Sequence, residues 1–545
     1  MQKVNYPTPL GKPLLGGLAA VGLLFAGCAA EDKDTTSTPG GSGTEAPTPG
    51  GTYVHALEAD PGGCLDGAQQ RYHVAFNIIR QATDSLVDLD PTTGEIVPWL
   101  AESWEISEDA KDFTFKLKQG VTFSNGEPFD ATAVKLNFDR INELGPQAIG
   151  GYPVIAGYTG TEVIDDLTAK VSFDTPNIQF LQGLSAAWLG LISPTDTAKS
   201  PEELCAGDYS GTGPFVIESY AKNDQAVLVK REGYNWPSKA YKHTGNAYLD
   251  RIEFKFLSES SVRSGSLISG QVHSISAVTA QDEATITGAG NELLVTQPPG
   301  LELTWIANQR SRFGADPTVR QAVAWSIDRD ELTTLYGSGF EVAKGILGPP
   351  SMPYYVDQSD LIKYDPAAAE QLLEEAGWVK GEDGIRVKDG QRLTLNLLFA
   401  LPEQAELIQQ QFLKVGIDAP VQKRDSAAQS QALTSGDYDF YIWNMTRGDP
   451  DVLRGIFISG LDGQGQNASF ALPTEADQYL QAQSGDADPA KRQEDVKAAV
   501  DYLVIENLAI PALFRSWVYA YSPDVHGFGV DGEAKLVLYD TWIDQ

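Results

Sequence analysis

Residues 98–104 and 113–129 read PWLAESW and FTFKLKQGVTFSNGEPF, and the second stretch contains the clearest strand signal in the chain. Apolar and polar residues alternate from Phe113 to Leu117, which is the pattern of a strand that buries one face. Three further segments carry a strand pattern: 227–229, 252–256 and 393–399. We therefore predict several short strands along the chain.

An Asp-Pro pair predicts the start of three helices: Asp316-Pro317, Asp365-Pro366 and Asp488-Pro489. Asp at the cap accepts hydrogen bonds from free backbone N–H groups, and Pro at the first helical position needs no hydrogen-bond acceptor. The second helix is predicted to end at Gly377. Because strand and helix signals alternate from about residue 70 onward, we expect an α/β fold.

The length and charge of the chain limit the classes of partner. The chain has 545 residues with 40 Lys and Arg against 74 Asp and Glu, a formal net charge of −34. This length predicts two to four domains of roughly 100–200 residues each. Nucleic-acid binding requires clustered Lys and Arg, and the sequence contains no basic run, so we expect no nucleic-acid partner.

The first fifty residues have the pattern of a secretory leader. Lys3 and Lys12 precede an apolar stretch at 14–26, which is followed by Gly27 and Cys28. Residues 24–28 (LFAGC) resemble a bacterial lipobox, so we predict a signal peptide at 1–27 and lipidation of Cys28. An ordinary cleaved signal with an incidental Cys is the alternative. Residues 28–52 are rich in Thr, Ser, Pro and Gly and predict a flexible tether. We expect a protein anchored by lipid to the outer face of the cell membrane, periplasmic or cell-surface.

Cys64 and Cys205 are the two remaining cysteines. Outside the cytoplasm such a pair is more often a disulfide than two free thiols, which remain the alternative. The chain has no G-x-S-x-G, H-E-x-x-H, C-x-x-C or phosphate-loop motif, and its five His are scattered. We therefore expect no catalytic residues, no metal site and no cofactor.

Residues 98–104 and 113–129 together closely resemble the hallmark of the family 5 extracellular solute-binding proteins, the oligopeptide, dipeptide and nickel-binding components of ABC importers. Further segments resemble family motifs: GTGPF (211–215), DPTVRQAVAWSIDR (316–329), the helix at 364–378, GDYD (436–439) and DPD (449–451). The resemblance covers about residues 53–545.

The resemblance implies a two-lobed periplasmic-binding-protein-like fold of type II, with an extra domain inserted in lobe I. Its landmarks place the parts as follows: lobe I at 53–84, 210–299 and 513–545, the inserted domain at 85–209, and lobe II at 300–512. A Cys64–Cys205 bond would then join lobe I to the inserted domain. In such folds a solute binds between the lobes and stabilises the closed form.

The same resemblance suggests the ligand-binding residues. Many peptide-binding relatives read W-x-x-D-x-x-D-P, and their first Asp pairs with the α-ammonium group of the peptide. Here Thr446 stands in place of that Asp, within a segment that contains Trp443, Asn444 and Arg447. Burying an ammonium group without a partner costs free energy. We therefore expect that the cleft does not bind a peptide N-terminus in the way these relatives do.

Arg447 would favour a carboxylate or another anionic group if it faces the cleft, and a solvent-facing or lobe-bridging Arg is the alternative. Trp443 either lines the cleft or belongs to the core, and Asp449 is expected to be a helix cap rather than a ligand contact. The remaining candidates for the binding site are Trp305, Asn308, Phe76, Asn77, Tyr152 and Tyr158.

The sequence thus predicts a monomeric, lipid-anchored receptor that is not an enzyme. It would capture a short peptide or a similar small polar solute in the interlobe cleft and deliver it to the membrane subunits of an ABC permease. The alternatives are a binder of a non-peptide solute, such as a metal chelate, a glycoside or an amino-acid derivative, and a sensor lipoprotein with no permease.

Overall fold

The computed structural model describes residues 46–399, 401–461 and 466–544, in which three larger sheets are each packed against helices. The predicted signal peptide and Cys28 lie outside the described residues. Among the described residues, no helix has both the length and the apolar character needed to cross a membrane.

The largest sheet is mixed, and we call the part of the chain built around it lobe I. Its seven strands are, in spatial order, Glu292–Thr296, Trp517–Tyr521, Ser274–Ile275, Thr52–Leu57, Arg251–Phe256, Gln225–Lys230 and Phe215–Ala221. The strand Thr52–Leu57, the first among the described residues, lies in the middle and pairs in parallel with two neighbours. Just before this strand, the N–H of Gly50 donates a hydrogen bond to Tyr248 O at 2.8 Å. This hydrogen bond ties Gly50, two residues before the strand, to lobe I.

The second sheet forms lobe II, and the third forms the inserted domain. The strands of lobe II are Glu341–Val342, Ala509–Phe514, Gly300–Ala307, Phe440–Thr446 and Leu397–Phe399. Those of the inserted domain are Ala101–Ile106, Asp112–Leu117, Thr168–Phe173 and Tyr158–Asp165. Small accessory sheets contain the strands Val379–Lys380, Arg386–Lys388 and Gln391–Arg392, then Val87–Leu89 with Ile96–Pro98, Val525–His526 with Trp542–Ile543, and Gly529–Val530 with Leu536–Val537.

Helices cover these sheets. Those of lobe I and the inserted domain are His73–Ala82, Ala131–Leu144, Gln179–Gly183, Pro201–Cys205, Ser260–Ile268 and Ala280–Gly288. Those of lobe II are Pro317–Ser326, Arg329–Thr333, Pro366–Glu375, Ala405–Lys414, Ser426–Ser435, Val452–Phe457, Glu475–Gly485 and Pro489–Ile505.

The three Asp-Pro helix starts are confirmed. Asp316, Asp365 and Asp488 each accept a hydrogen bond from a backbone N–H in the first turn of the helix that follows. The second helix ends at Glu375, just before Gly377, whose φ of +87° is a conformation that favours glycine. These boundaries depend only on neighbouring residues, which is why the local sequence predicts them.

The alternation at 113–117 is also confirmed, since Phe113, Phe115 and Leu117 are buried on one face of their strand. They belong to a hydrophobic core that is continuous between the inserted domain and lobe I. The strand expected at 393–399 is shorter and covers only Leu397–Phe399. Residues before it bond elsewhere, because Leu395 N donates to Asp418 O and Asn396 N donates to the Asp439 carboxylate, both at 2.8 Å.

The chain passes between lobe I and lobe II in two short segments, which we call the first crossing (residues 297–299) and the second crossing (residues 515–516). The last strand of lobe II continues to Phe514, so the chain leaves this sheet two residues later than the predicted boundary at 512. Two short connections are a suitable hinge, because few residues need to change φ and ψ when the lobes move.

Cys64 and Cys205 form a disulfide in this structure. Beside it, Leu65 N donates to Cys205 O at 2.8 Å. The bond joins the segment that follows the first strand of lobe I to the helix Pro201–Cys205 near the end of the inserted domain. Together with the shared core, it makes these two parts one mechanical unit.

Candidate functional site

A cavity of about 500 Å³, which we call the central cavity, lies between the lobes. Lobe I contributes residues 70–73, Phe76 and Lys535 to its lining, and the inserted domain contributes Trp188 and the turn at 149–150. Lobe II contributes residues 443–447, and the second crossing contributes Arg515. Every part of the protein that would move on hinge closure therefore touches this one space.

Five of the residues predicted from the sequence line the central cavity: Phe76, Trp443, Asn444, Thr446 and Arg447. Four of them are on the strand Phe440–Thr446 or directly follow it. This strand pairs with Gly300–Ala307, and Thr446 lies opposite Gly300. The sheet of lobe II thus places these residues at the central cavity, at the end of one strand.

Other predicted residues lie elsewhere. Trp305 is fully buried in the core of lobe II and packs edge-on against Phe399, with 5.3 Å between ring centroids. Asn308 is buried, and its Nδ2 donates to the carbonyls of Gly436 and Tyr438 at 2.9 Å, which is a structural role.

Asn77, Tyr152 and Tyr158 are not in the lining of the central cavity either. Asn77 is buried and accepts a hydrogen bond from Leu536 N. Tyr158 donates to Asp139 on the inserted domain. We leave these three residues, with Trp305 and Asn308, out of the proposed binding site.

The backbone of Arg447 is held by the first crossing. Its N–H donates to Pro299 O at 3.1 Å. Gly300, which follows Pro299, has a φ of +110°, and a Cβ on it would lie 2.6 Å from Arg447 N. Only glycine permits this approach, so the end of the strand and the first crossing fit closely together.

The guanidinium of Arg447 lies over the Trp188 ring, with 5.6 Å between Cζ and the ring centroid. Its Nε is buried, and among the described residues no acceptor reaches it. Burial lowers the pKa of Arg447, and the charges of Glu533, Asp451 and Asp449 oppose this shift. The side chain therefore bridges the lobes, and its Nε is a buried donor without an acceptor among the described residues.

Three further cations line the central cavity and were not predicted from the sequence: Arg71, Arg515 and Lys535. Arg515 lies over the ring of Trp517 at 5.4 Å, and Lys535 Nζ is 4.2 Å from the same ring centroid. Burial lowers the pKa of Lys535 and raises the pKa of its neighbour Glu533, so each shift favours the neutral form. No local motif marks Arg515 or Lys535, because the site is assembled from distant parts of the chain.

The described lining of the central cavity is positively charged, although the chain as a whole is acidic. It includes Arg71, Arg447, Arg515 and Lys535, and no Asp or Glu is among the lining residues that the structure describes. A neighbouring cavity of about 390 Å³ shares His73, Arg515 and Trp517 with it and contains Glu58 and Glu403. Negative charge is thus found beside the central cavity, not in its lining.

Asp449, three residues after Thr446, has a structural partner. Its two carboxylate oxygens accept from Arg492 at 2.6 and 2.9 Å, and both side chains are buried. Asp449 Oδ1 also accepts from Asp451 N at 2.8 Å. The carboxylate of Asp449 is therefore paired with Arg492 inside lobe II. Among the described residues, no group of three or more His, Cys, Asp or Glu is placed to hold a metal ion.

Comparison with known proteins gives a consistent result. Residues 95–467 match the family described as bacterial extracellular solute-binding proteins, family 5 Middle. The chain is similar to the glutathione-binding protein GsiB of Escherichia coli K12, with 26% identity over 453 residues that cover 81% of this chain and 85% of that protein.

Two solved structures share the fold. The first is NikA from Brucella suis in complex with Fe(III)-EDTA, with a TM-score of 0.77, 22% identity, and coverage of 91% of this chain and 100% of that one. The second is the periplasmic binding protein DppA from Helicobacter pylori in complex with the peptide STSA, with a TM-score of 0.71, 22% identity, and coverage of 91% and 99%.

Proposed function

The chain belongs to family 5 of the bacterial extracellular solute-binding proteins, and from this premise we propose that its central cavity captures a short peptide or a similar small polar solute for an ABC permease. The family works outside the cytoplasm and is a solute-binding family, not an enzyme family. The observation that carries the proposal is the central cavity itself, because it is lined from lobe I, the inserted domain, lobe II and the second crossing.

Closure of the lobes provides the mechanism of capture. The N–H of Ile178 on the inserted domain donates to Ser484 O on lobe II at 3.2 Å. Nearby, Gly448 packs so closely on Gln182 that a Cβ there would clash with the Gln182 side chain. These contacts can form only when the lobes are together. A solute that touches both sides adds to them, so it shifts the hinge equilibrium toward the closed form.

A non-peptide solute is the second candidate, and a specific observation favours it. The position of the ammonium-binding Asp is occupied by Thr446, and the described lining of the central cavity contains no carboxylate. A peptide ammonium group buried there would have no counter-charge. A solute whose amine is absent, blocked or turned toward Glu58 and Glu403 avoids this cost.

We also propose that the protein is a monomer without catalytic activity, attached to the membrane through a lipid on Cys28. The LFAGC segment at 24–28 supports the anchor. Replacing Cys28 by Ser is expected to move the protein from the membrane fraction to the soluble fraction. Retention of the Cys28→Ser variant in the membrane fraction would contradict the anchor.

The test of solute capture uses the full-length chain purified in detergent. Mass spectrometry of molecules released on denaturation identifies the bound solute, and calorimetry with the pure compound measures its affinity. A strain that lacks the gene is then expected to lose uptake of this compound. Chemical conversion of the compound in a sealed tube would refute a purely binding role. Normal uptake by the deletion strain would favour a sensor without a permease.

A further inference from the structure

We infer that the solute held in the central cavity is an anion that carries at least two acidic groups. This inference rests on the proposed function and names the chemical class of the solute. Its basis is the set of cations and unpaired donors around the cavity.

Charge is the first argument. Arg447 comes from lobe II, Arg515 from the second crossing and Lys535 from the C-terminal part of lobe I. Like charges brought together in a partly buried space repel one another, and a counter-charge relieves that repulsion. Glu533, Glu58 and Glu302 offset part of this charge from outside the lining. The lining that the structure describes has no carboxylate, so a solute in the central cavity meets the cations and not their counter-charges. The overall charge of −34 makes this local excess of cations more significant.

Unpaired donors are the second argument. Arg447 Nε, Trp188 Nε1 and Trp517 Nε1 are buried, and none has a hydrogen-bond partner among the described residues. All three side chains line the central cavity. A buried donor without an acceptor costs about 1–3 kcal/mol. These nitrogens are themselves covered in this structure, so a small rotation of the side chain is needed to bring one to the cavity. Carboxylate, sulfonate or phosphate oxygens would then satisfy it, because such groups accept without donating when ionised.

The arrangement of the cations indicates at least two acidic groups. Arg447 lies over Trp188, whereas Arg515 and Lys535 both lie over Trp517. These are two separate pairings of cation and indole, each with its own unpaired indole N–H. One acidic group at Arg447 and another at Arg515 and Lys535 would neutralise both. A solute with a single carboxylate would leave one pairing without an anion.

The test is competition within a defined panel of small molecules. The panel contains glutarate, N-acetyl-L-glutamate and glutathione, the same three molecules with their carboxylates converted to amides, and the dipeptides Ala-Ala and Lys-Lys. The full-length chain is incubated with the panel and desalted rapidly, and the retained molecules are measured by mass spectrometry. We expect retention of molecules with two carboxylates and loss of each when its carboxylates are amidated.

Variants of the protein assign the effect to the cavity. Arg447→Gln and Arg515→Gln are each expected to weaken binding of the retained dicarboxylate by about thirtyfold or more. Arg392→Gln is the matched control, because Arg392 is exposed on a hairpin of lobe II and pairs with Asp383. It is expected to bind as the parent does. Thermal unfolding of each variant verifies that it is folded.

The outcomes separate this inference from the proposed function. Retention of the amides, Ala-Ala or Lys-Lys in preference to the dicarboxylates would overturn the anion inference and leave solute capture intact. Dicarboxylate binding that is unchanged in both Arg variants would also overturn the anion inference. Failure to retain any panel member, together with the absence of any co-purifying solute, would overturn both.

Discussion

The guanidinium of Arg447 on lobe II lies over the indole ring of Trp188 on the inserted domain, 5.6 Å from the ring centroid. A cation is attracted to the face of an aromatic ring, and the attraction is greater when water is excluded. The contact crosses the cleft, so it orients Arg447 toward the central cavity and also helps hold the lobes together. Trp188 itself is supported by an edge-on contact with Phe76.

Replacing Trp188 by Ala is therefore expected to weaken solute binding by about 1–2 kcal/mol, because Arg447 loses the surface that orients it. Calorimetry with the solute that the protein retains measures the change. Trp188→Phe separates the two contributions of this residue, since it keeps an aromatic face for Arg447 and removes only the indole N–H. Equal affinities for Trp188→Ala and the parent would show that this contact does not orient Arg447 for binding.

Binding of an anion is expected to weaken as the pH rises. Burial raises the pKa of Glu533 and lowers the pKa of Lys535, and each also responds to Asp531 and Arg80 and, for Lys535, to Arg515. With increasing pH, Glu533 gains a negative charge and Lys535 loses a positive one, so both changes disfavour an anion.

The pKa of His73 is lowered well below its ordinary value by burial, so His73 is neutral in this range. We expect roughly tenfold weaker binding at about pH 9 than at about pH 6. Calorimetry at both pH values provides the measurement, and Lys535→Gln is expected to flatten the profile. A dissociation constant independent of pH would rule out this charge balance.

The buried ion pair between Asp449 and Arg492 is expected to matter for stability. Asp449→Asn leaves the Arg492 charge without its partner, and removing one member of a buried pair costs about 3–5 kcal/mol. Urea unfolding measures the loss. Lys497→Gln is the control, because Lys497 lies on the same helix as Arg492 but is exposed and pairs with Asp501 at the surface. A similar small effect of both variants would mean that the pair is well solvated.

The disulfide is expected to stabilise the mature protein. A bond that closes a sequence separation of 141 residues contributes about 4–5 kcal/mol in the chain-entropy account. Alkylation without reductant, followed by mass spectrometry, is expected to modify neither Cys64 nor Cys205. The Cys64→Ser, Cys205→Ser double variant is expected to unfold at lower urea concentration. Two alkylated cysteines in the unreduced protein would disprove the bond.

Sequence reasoning located part of the lining of the central cavity and missed the rest. It indicated the segment with Trp443 and Arg447 because a family motif lies there. It also proposed Trp305, which the structure places in the core of lobe II. Every residue of the strand Gly300–Ala307 is buried, so both faces of the strand are covered. Alternation of apolar and polar residues cannot show which face meets a ligand when neither face meets water.

The sequence alone determined the features that depend on near neighbours: the helix starts at Asp316, Asp365 and Asp488, the half-buried strand at 113–117, and the motifs of a two-lobed solute-binding fold. Only the tertiary structure decided that Arg515 and Lys535 join Arg447 around one cavity. The physical reason is that caps and strand periodicity arise within a few residues, whereas a charged binding site is assembled when sheets and crossings bring distant side chains into one space.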